Sequence, residues 1–422
     1  MHLFLVGAGP VGLVTAVGFA RLGHRVTVSD IDAARIATLA AGRSPIFEPG
    51  MEDAIRAESA AGRLAFTTDP VPPAGAGCSI VCVGTPTGPE GPLSTGQVER
   101  AVAGLLESTP PDHVIVVRST LPVEGPDRLD RLVEARRAHG PCPTVVTNPE
   151  FMREGAGLRD FDVPSRVVTG WLRPGDRDAA QAVADLYAPL NAPTLVADAR
   201  SVALIKLASN VFLATKIAFA NELARICDAV GADVDLVTAG VGMDDRIGRA
   251  FLSAGPGIGG SCLPEQALAL PLLSARAGVP TPLIDAVSGS NASHQRAVVA
   301  RLGSLLGLAF KAGTDDVRES PALALARALR AAGAAVTGYD PQARETACRA
   351  DPQLETGADP VEAARGADAV LVATEWAEFR GIDWAAMHRA MAGDLVYDTR
   401  NVVDSRAARA AGLRVEMLGR RA

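Results

Sequence analysis

The first thirty residues constrain the fold more than any later stretch. His2 to Val6 is a short apolar run, read as a strand, and the turn Gly7-Ala-Gly-Pro-Val-Gly12 follows at once. Leu13 to Leu22 reads as a helix and Arg25 to Ser29 as a second strand, which stops at Asp30. Strand, glycine turn, helix, strand and terminal acid form the context in which a GxGxxG carries meaning. Gly7 allows the sharp turn, Gly9 lets a pyrophosphate approach the backbone, and Gly12 lets helix and strand pack closely. With Val11 they line the start of the helix, whose free N–H groups attract phosphate oxygens. Asp30 lies 18 residues past Gly12. It is placed to accept hydrogen bonds from an adenosine ribose, and its charge repels a 2′-phosphate. The expected cofactor is therefore NAD rather than NADP.

Three more apolar runs read as buried strands of the same sheet. Ser79 to Val83 ends in Gly84-Thr85-Pro86, Val114 to Val117 in Arg118-Ser-Thr120, and Thr144 to Thr147 in Asn148-Pro-Glu150-Phe-Met-Arg-Glu154. Ligands of such sheets lie beyond the carboxyl ends of the strands. Thr85 and Thr120 then fall at the cofactor rim, or else they cap helices. A carboxylate at such a strand end can act as a base, so Glu150 is a candidate. Glu154 reads equally well as a salt-bridge residue.

The 422 residues suffice for two or three domains, and 48% hydrophobic with 21% charged residues gives ample core. From Ser201 to Val230 there is neither proline nor glycine, and apolar residues recur at three and four. That predicts one helix of roughly 30 residues, about 45 Å long at 1.5 Å per residue. Further on, Leu323 to Ala332 reads as a helix, and Ala335 to Gly338, Ala367 to Ala373 and Leu395 to Tyr397 as strands. The fold class is α/β: two Rossmann-like doubly wound domains joined by a central helical domain with one long helix. The expected boundaries are 1–198, 199–296 and 297–422. The C-terminal domain lacks a GxGxxG and should not bind NAD in the same way.

Charge and cysteine usage narrow the partners. The net charge is −7 with no basic block, which argues against nucleic acid and anionic membrane. No stretch is expected to reach transmembrane length. Of the six cysteines, at 78, 82, 142, 227, 262 and 348, only Cys78 and Cys82 are close, and these read as alternate residues of a strand. Neither a metal site nor a disulfide framework is expected, and the compartment is read as a reducing cytoplasm.

Gly255 to Gln266, GPGIGGSCLPEQ, puts four glycines before one cysteine. Such a loop can present the Cys262 thiol at a fixed place as a nucleophile, or it is a glycine-rich turn with an inert cysteine. Lys206 and Asn210, spaced i and i+4, share one face of the long helix. They are functional groups in an apolar stripe, or a solvated lysine beside a helical asparagine. Arg246, in Asp245-Arg-Ile-Gly248, is able to hold a carboxylate or phosphate.

The stretches GAGPVG, SPIFEPG at 44–50, VGTP, RSTLPV, NPEFMREG, KLASNVFLATKIAFANE at 206–222, DRIGRAFLSAGPGIGGSCLP, GLAFKAGTDDVRESP at 307–321 and ATEWAEF at 373–379 run in order along nearly the whole chain. Together they resemble the nucleotide-sugar 6-dehydrogenases, the UDP-glucose and GDP-mannose dehydrogenase family. The resemblance implies oxidation of a sugar carbon 6 alcohol to a carboxylate with two NAD, through a cysteine thiohemiacetal and thioester. DRIG and TEW favour UDP-glucose to UDP-glucuronate, for polysaccharide biosynthesis. SCLP and KAGTDD are also similar to GDP-mannose dehydrogenase, and a dTDP-glucose enzyme would look alike. By resemblance Cys262 is the nucleophile, Lys206 and Asn210 stabilise the charged oxygen, and Glu150 with Thr120 directs the hydrolytic water. Glu150, Phe151, Met152, Arg153, Lys206, Asn210, Arg246, Phe251, Gly259 and Lys311 fall at the substrate positions. Gly7, Gly9, Val11, Gly12, Asp30, Arg35, Thr85, Thr120, Glu150, Glu265 and Arg318 fall at the NAD positions. A homodimer built around the long helix is implied as well.

Three departures accompany the resemblance. Glu265 stands where the family has a lysine, and Gln266 where it has an aspartate that orients water and activates chemistry. The link from Gln295 to Gly307 is shorter than usual, leaving Ser304 to Ala309 only a stub of a strand. Ile258 replaces an aromatic residue. A slow, altered or catalytically impaired nucleotide-sugar-binding relative is therefore the alternative.

Overall fold

The structure is a computed structural model and describes residues 1–87, 92–299 and 304–420. The chain divides into two compact units, Met1–Ser209 and Asn210–Ala422.

The first unit is built on eight strands: β1 (His2–Val6), β2 (Arg25–Ser29), β3 (Leu64–Thr67), β4 (Cys78–Val81), β5 (Val114–Val117), β6 (Thr144–Thr147), β7 (Val167–Trp171) and β8 (Thr194–Asp198). Their order in the sheet is β3-β2-β1-β4-β5-β6-β7-β8. All neighbours are parallel except β6 and β7, which pair antiparallel at Val146 and Trp171. The central strands are short continuous apolar runs because helices cover both faces of the sheet; Leu3, Phe4 and Leu5 are fully buried. Sheet order reverses between β1 and β4, and that switch point opens the crevice at the carboxyl ends. The helix after the glycine turn spans Pro10–Arg21 and starts three residues before the expected Leu13, because a proline's fixed φ suits the first helical position.

The second unit carries β9 (Ser304–Leu306), β10 (Thr337–Tyr339), β11 (Glu355–Thr356), β12 (Ala369–Val372), β13 (Leu395–Asp398) and β14 (Arg414–Met417) in the order β11-β10-β9-β12-β13-β14. These six repeat the order of the first six strands of the other sheet. Helices Val234–Gly242, Cys262–Arg276 and Pro282–Val299 precede them. The strand stub expected at Ser304 is β9, three residues long at the centre of the sheet. The short link before it includes residues 300–303, which lie outside the described residues, as do residues 88–91.

The long helix spans Ala199–Val230, 32 residues. It contains a window of mean hydropathy 1.6, long and apolar enough to cross a membrane. This corrects the expectation that no stretch reaches that length. The core helix of a globular fold passes the same test, and this one buries Val202, Leu207, Val211, Ala214, Ala220 and Ala224 against the protein. Strand edges also shift: β4 ends at Val81, so Cys82 stands just past the strand rather than in it, and β10 and β12 are shorter than the apolar runs that announced them.

Candidate active site

The glycine turn is shaped for a pyrophosphate. Gly7 has φ 103°, and a Cβ on Gly12 would collide with the Gly7 carbonyl. A Cβ on Gly9 would meet nothing within 4 Å, so the backbone there faces open space. Asp30 is buried at the end of β2, where its Oδ2 accepts from the Ala8 N–H at 2.7 Å and from Arg35 Nη1 at 3.0 Å. Its Oδ1 accepts from the Asp32 N–H at 2.9 Å. Burial pushes its pKa up, but those N–H groups and Arg35 outweigh it and hold the carboxyl below its usual value. The acid is thus ionised and fastened to the phosphate turn. Val11 stands in the first turn of the helix that follows, and Thr85 and Thr120 sit half-buried in the loops after β4 and β5.

Glu150 follows β6 in a turn that returns its own carboxylate to the backbone: Oε2 accepts from the Met152 N–H at 2.6 Å. Its Oε1 takes Lys206 Nζ at 2.9 Å, with side chains 8% and 4% exposed. Burial raises the Glu150 pKa, yet Lys206, the Met152 N–H and Arg118 together hold it below the ordinary value. A solvated lysine is thereby excluded: Lys206 is a buried ammonium with a carboxylate partner. It also lies 5.3 Å from the centroid of the Phe151 ring, whose face carries Arg166 at 3.9 Å. Arg153, exposed, is drawn back onto Asp160 at 2.6 Å. Asn210 is buried one turn after Lys206 on the same helix.

In the second unit Cys262 is exposed. The expectation of a loop through Gln266 is corrected: the helix Cys262–Arg276 starts at the cysteine itself, so only Gly255 to Ser261 is loop. The N-terminal end of a helix favours negative charge at that place. Glu265 stands in the same first turn and draws on the same stabilisation. Gln266, one turn below Cys262, is 1% exposed and its Oε1 has no partner.

The loop is glycine because other groups need its space. A Cβ on Gly259 would meet Pro321 Cδ at 2.6 Å, and one on Gly260 (φ 82°) the Phe310 ring at 3.0 Å. Asn221 Oδ1 accepts from the Gly255 N–H at 2.8 Å, Asn291 Oδ1 from the Ile258 N–H at 2.8 Å, and His294 Nε2 donates to the Gly255 carbonyl at 2.7 Å. Burial pushes the His294 pKa down to about 4, so the ring is neutral. Sequence reasoning missed these three. The available signal for Asn221 was its place 11 residues after Asn210, three turns on and on the same face. Phe251 has φ 64°, a strained conformation for a bulky residue and one concentrated at functional sites. Lys311 lies 5.6 Å from the Phe310 ring centroid. Arg318 pairs with Asp316 at 2.7 Å, and Arg246, 88% exposed, pairs with Asp244 at 2.6 Å. Lys311 and Arg318 share the loop between β9 and the helix Pro321–Ala331, and Arg246 stands on another.

Comparison with known proteins covers the whole chain. The family models for the NAD binding, central and UDP binding domains of the UDP-glucose/GDP-mannose dehydrogenase family match residues 1–191, 200–293 and 304–405. A UDP-glucose 6-dehydrogenase of Rhizobium meliloti is 39% identical over 100% of both chains, and one of Bacillus subtilis 38% identical over 100% of this chain and 98% of its own. The solved UDP-glucose dehydrogenase of Pyrobaculum islandicum superposes with a TM-score of 0.89 at 37% identity, covering 100% of this chain and 98% of that one. Its fold, its glycine turn and its matches along the full length place the chain in the UDP-glucose/GDP-mannose dehydrogenase family, with NAD as cofactor.

Proposed function

We propose that this enzyme oxidises UDP-glucose to UDP-glucuronate, and that Cys262 carries the carbon between the two oxidations. The observation behind this reading is an exposed thiol at a helix N-terminus, behind a loop whose glycines are required by packing. NAD, when bound, takes the hydrogen and its electron pair from carbon 6 in each oxidation. The residues present fit it: open backbone at Gly9, ionised Asp30 for the ribose, and Arg35, Thr85, Thr120, Glu265 and Arg318 as further contacts.

Cys262 sulfur adds to the carbonyl carbon of the aldehyde, giving a thiohemiacetal that retains a C–H. After the second oxidation the carbon is a thioester, and water displaces the sulfur to release the acid and the thiol. The Lys206 ammonium and the Asn210 amide donate to the oxygen that gains charge. Glu150, kept ionised by Lys206, accepts a hydrogen bond from the attacking water, which Thr120 helps hold. Gln266 can orient that water but cannot take its proton, and this favours slow hydrolysis as a second reading. Phe151, Met152, Arg153, Arg246, Phe251, Gly259 and Lys311 serve the nucleotide sugar. The functional division is 1–198 for cofactor, 199–296 for the cysteine loop and long helix, and 297–422 for nucleotide.

The active species is a homodimer in the cytoplasm. Leu204, Phe212, Phe219, Ile226 and Val230 are exposed on the long helix and, at 100° per residue, fall within about 80° of arc. A stripe of this kind on a globular helix needs a cover, and a second copy supplies an equal one. The six cysteines form no disulfide among the described residues, in keeping with a reducing compartment. The deciding experiment follows NADH at 340 nm with UDP-glucose, dTDP-glucose and GDP-mannose, and identifies the acid by mass spectrometry. Two NADH per UDP-glucose supports the proposal, and preference for another sugar reassigns the substrate. Binding without NADH from any sugar defeats it in favour of an impaired relative.

A further inference from the structure

Arg118, the first residue after β5, is 4% exposed and touches no carboxylate among the described residues. Its Nε donates to Thr15 Oγ1 at 2.8 Å. Its Nη1 donates to Asn148 Oδ1 at 2.8 Å and to the Tyr187 hydroxyl at 2.9 Å. Its Nη2 lies 3.9 Å from Met152 Sδ. Tyr187 in turn donates to Asn148 Oδ1 at 2.7 Å, and Asn148 Nδ2 to the Val168 carbonyl at 2.8 Å. The amide of Asn148 is therefore fixed at both ends. Thr15 Oγ1 donates to the Val11 carbonyl at 2.6 Å, in the first turn of the phosphate-binding helix.

A buried cation without a contacting carboxylate is costly, and neutral donors would serve the same acceptors. What a cation adds is charge, and the carboxylate it acts on is Glu150. Glu150 is held by Lys206 from the long helix at 2.9 Å and feels the charge of Arg118 from the turn after β5, while Arg166 lies on the ring of the neighbouring Phe151. The Cys82 thiol after β4 and the Tyr187 phenol are both pushed up to about 12 by burial and stay neutral. We infer that Arg118 is a positioning residue for Glu150: it fixes the Asn148–Met152 turn and ties that turn to the cofactor helix through Thr15. This rests on Glu150 acting as proposed above, and it assigns to the first motif after β5 a role beyond Thr120.

The test uses the full chain with Arg118→Gln, Arg118→Lys, Tyr187→Phe and Thr15→Val. It measures pH profiles of NADH formation, NAD affinity by calorimetry, and melting. Arg118→Gln should lower turnover by roughly 10- to 100-fold, the scale of a small misplacement of a catalytic group. It should also move the acid limb of kcat/KM up, by less than the loss of Lys206 would, because Glu150 loses a favourable charge. Arg118→Lys should return the limb to its wild-type position without restoring turnover, since it keeps the charge and loses the fork. Tyr187→Phe should lower kcat with NAD affinity unchanged, and Thr15→Val should weaken NAD binding. A folded Arg118→Gln with wild-type limb and turnover overturns the inference. If that variant does not fold, wild-type kinetics in both Arg118→Lys and Tyr187→Phe overturn it. If the wild type itself makes no NADH, the functional reading fails alone. The pH dependence of melting in wild type and Arg118→Lys or Arg118→Gln then decides, with an unchanged Glu150 transition counting against Arg118.

Discussion

Replacing Lys206 by methionine tests the site at its most buried contact. The pair spans 2.9 Å with side chains 4% and 8% exposed, and methionine keeps much of the stem's volume while removing the ammonium. Deleting one partner of a buried pair costs about 3–5 kcal/mol because the other charge is left uncompensated. For a unit of 209 residues that corresponds to a melting point lower by roughly 6–20 °C. The cost should depend on pH in a definite direction. In the wild type the Glu150 pKa lies below its ordinary value, so its contribution is complete above the unfolded value of about 4.3 and is lost as pH falls through the folded one. In the variant burial pushes the same carboxyl up. It binds a proton on folding, and the deficit is full near pH 8 and fades toward pH 4. Urea unfolding of both proteins across that range measures the difference, and Lys206→Met with Glu150→Gln should recover most of it. A deficit independent of pH, or a double variant no more stable than Lys206→Met, would refute the reasoning.

Other perturbations act on single features. Glu265→Gln should raise the alkylation rate of Cys262 at pH 7 by about two- to fivefold, since a charge in a helix's first turn is worth about 0.3–1 kcal/mol; an unchanged rate removes Glu265 from the thiol's surroundings. Asp30→Ala frees Arg35 and the Ala8 N–H, and should weaken NAD by roughly 1–3 kcal/mol, the cost of unpaired polar groups, while narrowing the preference over NADP in calorimetry. Gly259→Ala forces a Cβ to within 2.6 Å of Pro321, and should abolish turnover in a protein whose circular dichroism is unchanged.

Most of the first unit was legible because β1, β2, β5 and β6 are apolar runs closed by chemistry-bearing turns, and each of the four matches its expected span. Strands β3, β7 and β8 were not found. Leu64–Thr67 and Thr194–Asp198 are edge strands whose apolar runs, Leu64 to Phe66 and Leu195 to Ala197, are only three residues long and end in no chemistry-bearing turn. β7 is buried from Val167 to Gly170, but no functional turn follows it. Glu150 and Lys206 were picked out separately, and nothing in the spacing of residues 150 and 206 states that they touch. Arg118 was named only as part of the turn after β5, and its burial at 4% exposure is what makes it informative. The start of the helix at Cys262 was hidden by Pro264, which reads as a loop residue although the first turn tolerates it.

The two sheets share one plan, and their differences show how a single fold yields two sites. Gly7 and Gly307 both have positive φ, and their N–H groups donate to the Ser29 and Tyr339 carbonyls at 2.8 and 2.7 Å. Asp30 and Asp340 close the second strand of each sheet and both hold the turn after the first. A carboxylate offers about four acceptor sites. Asp30 uses three, for Ala8, Asp32 and Arg35, and keeps room for a ribose hydroxyl. Asp340 takes five donors, the N–H groups of Leu308, Ala309, Gln342 and Ala343 and the indole of Trp376, and has none to spare. Where the first turn has Gly9 and Gly12, the second has Ala309 and Ala312; Phe310 stands between them and lays its ring on Gly260 of the cysteine loop. The second sheet has therefore exchanged a ribose acceptor for structure and put its first turn against the nucleophile's loop. Trp376→Phe probes the indole's place: it leaves the four N–H donors on Asp340 and adds no glycines, so the acid stays full and NAD should bind with the stoichiometry of one site per chain. A second NAD equivalent in calorimetry would overturn the view that the filled acid and the missing glycines keep the dinucleotide out.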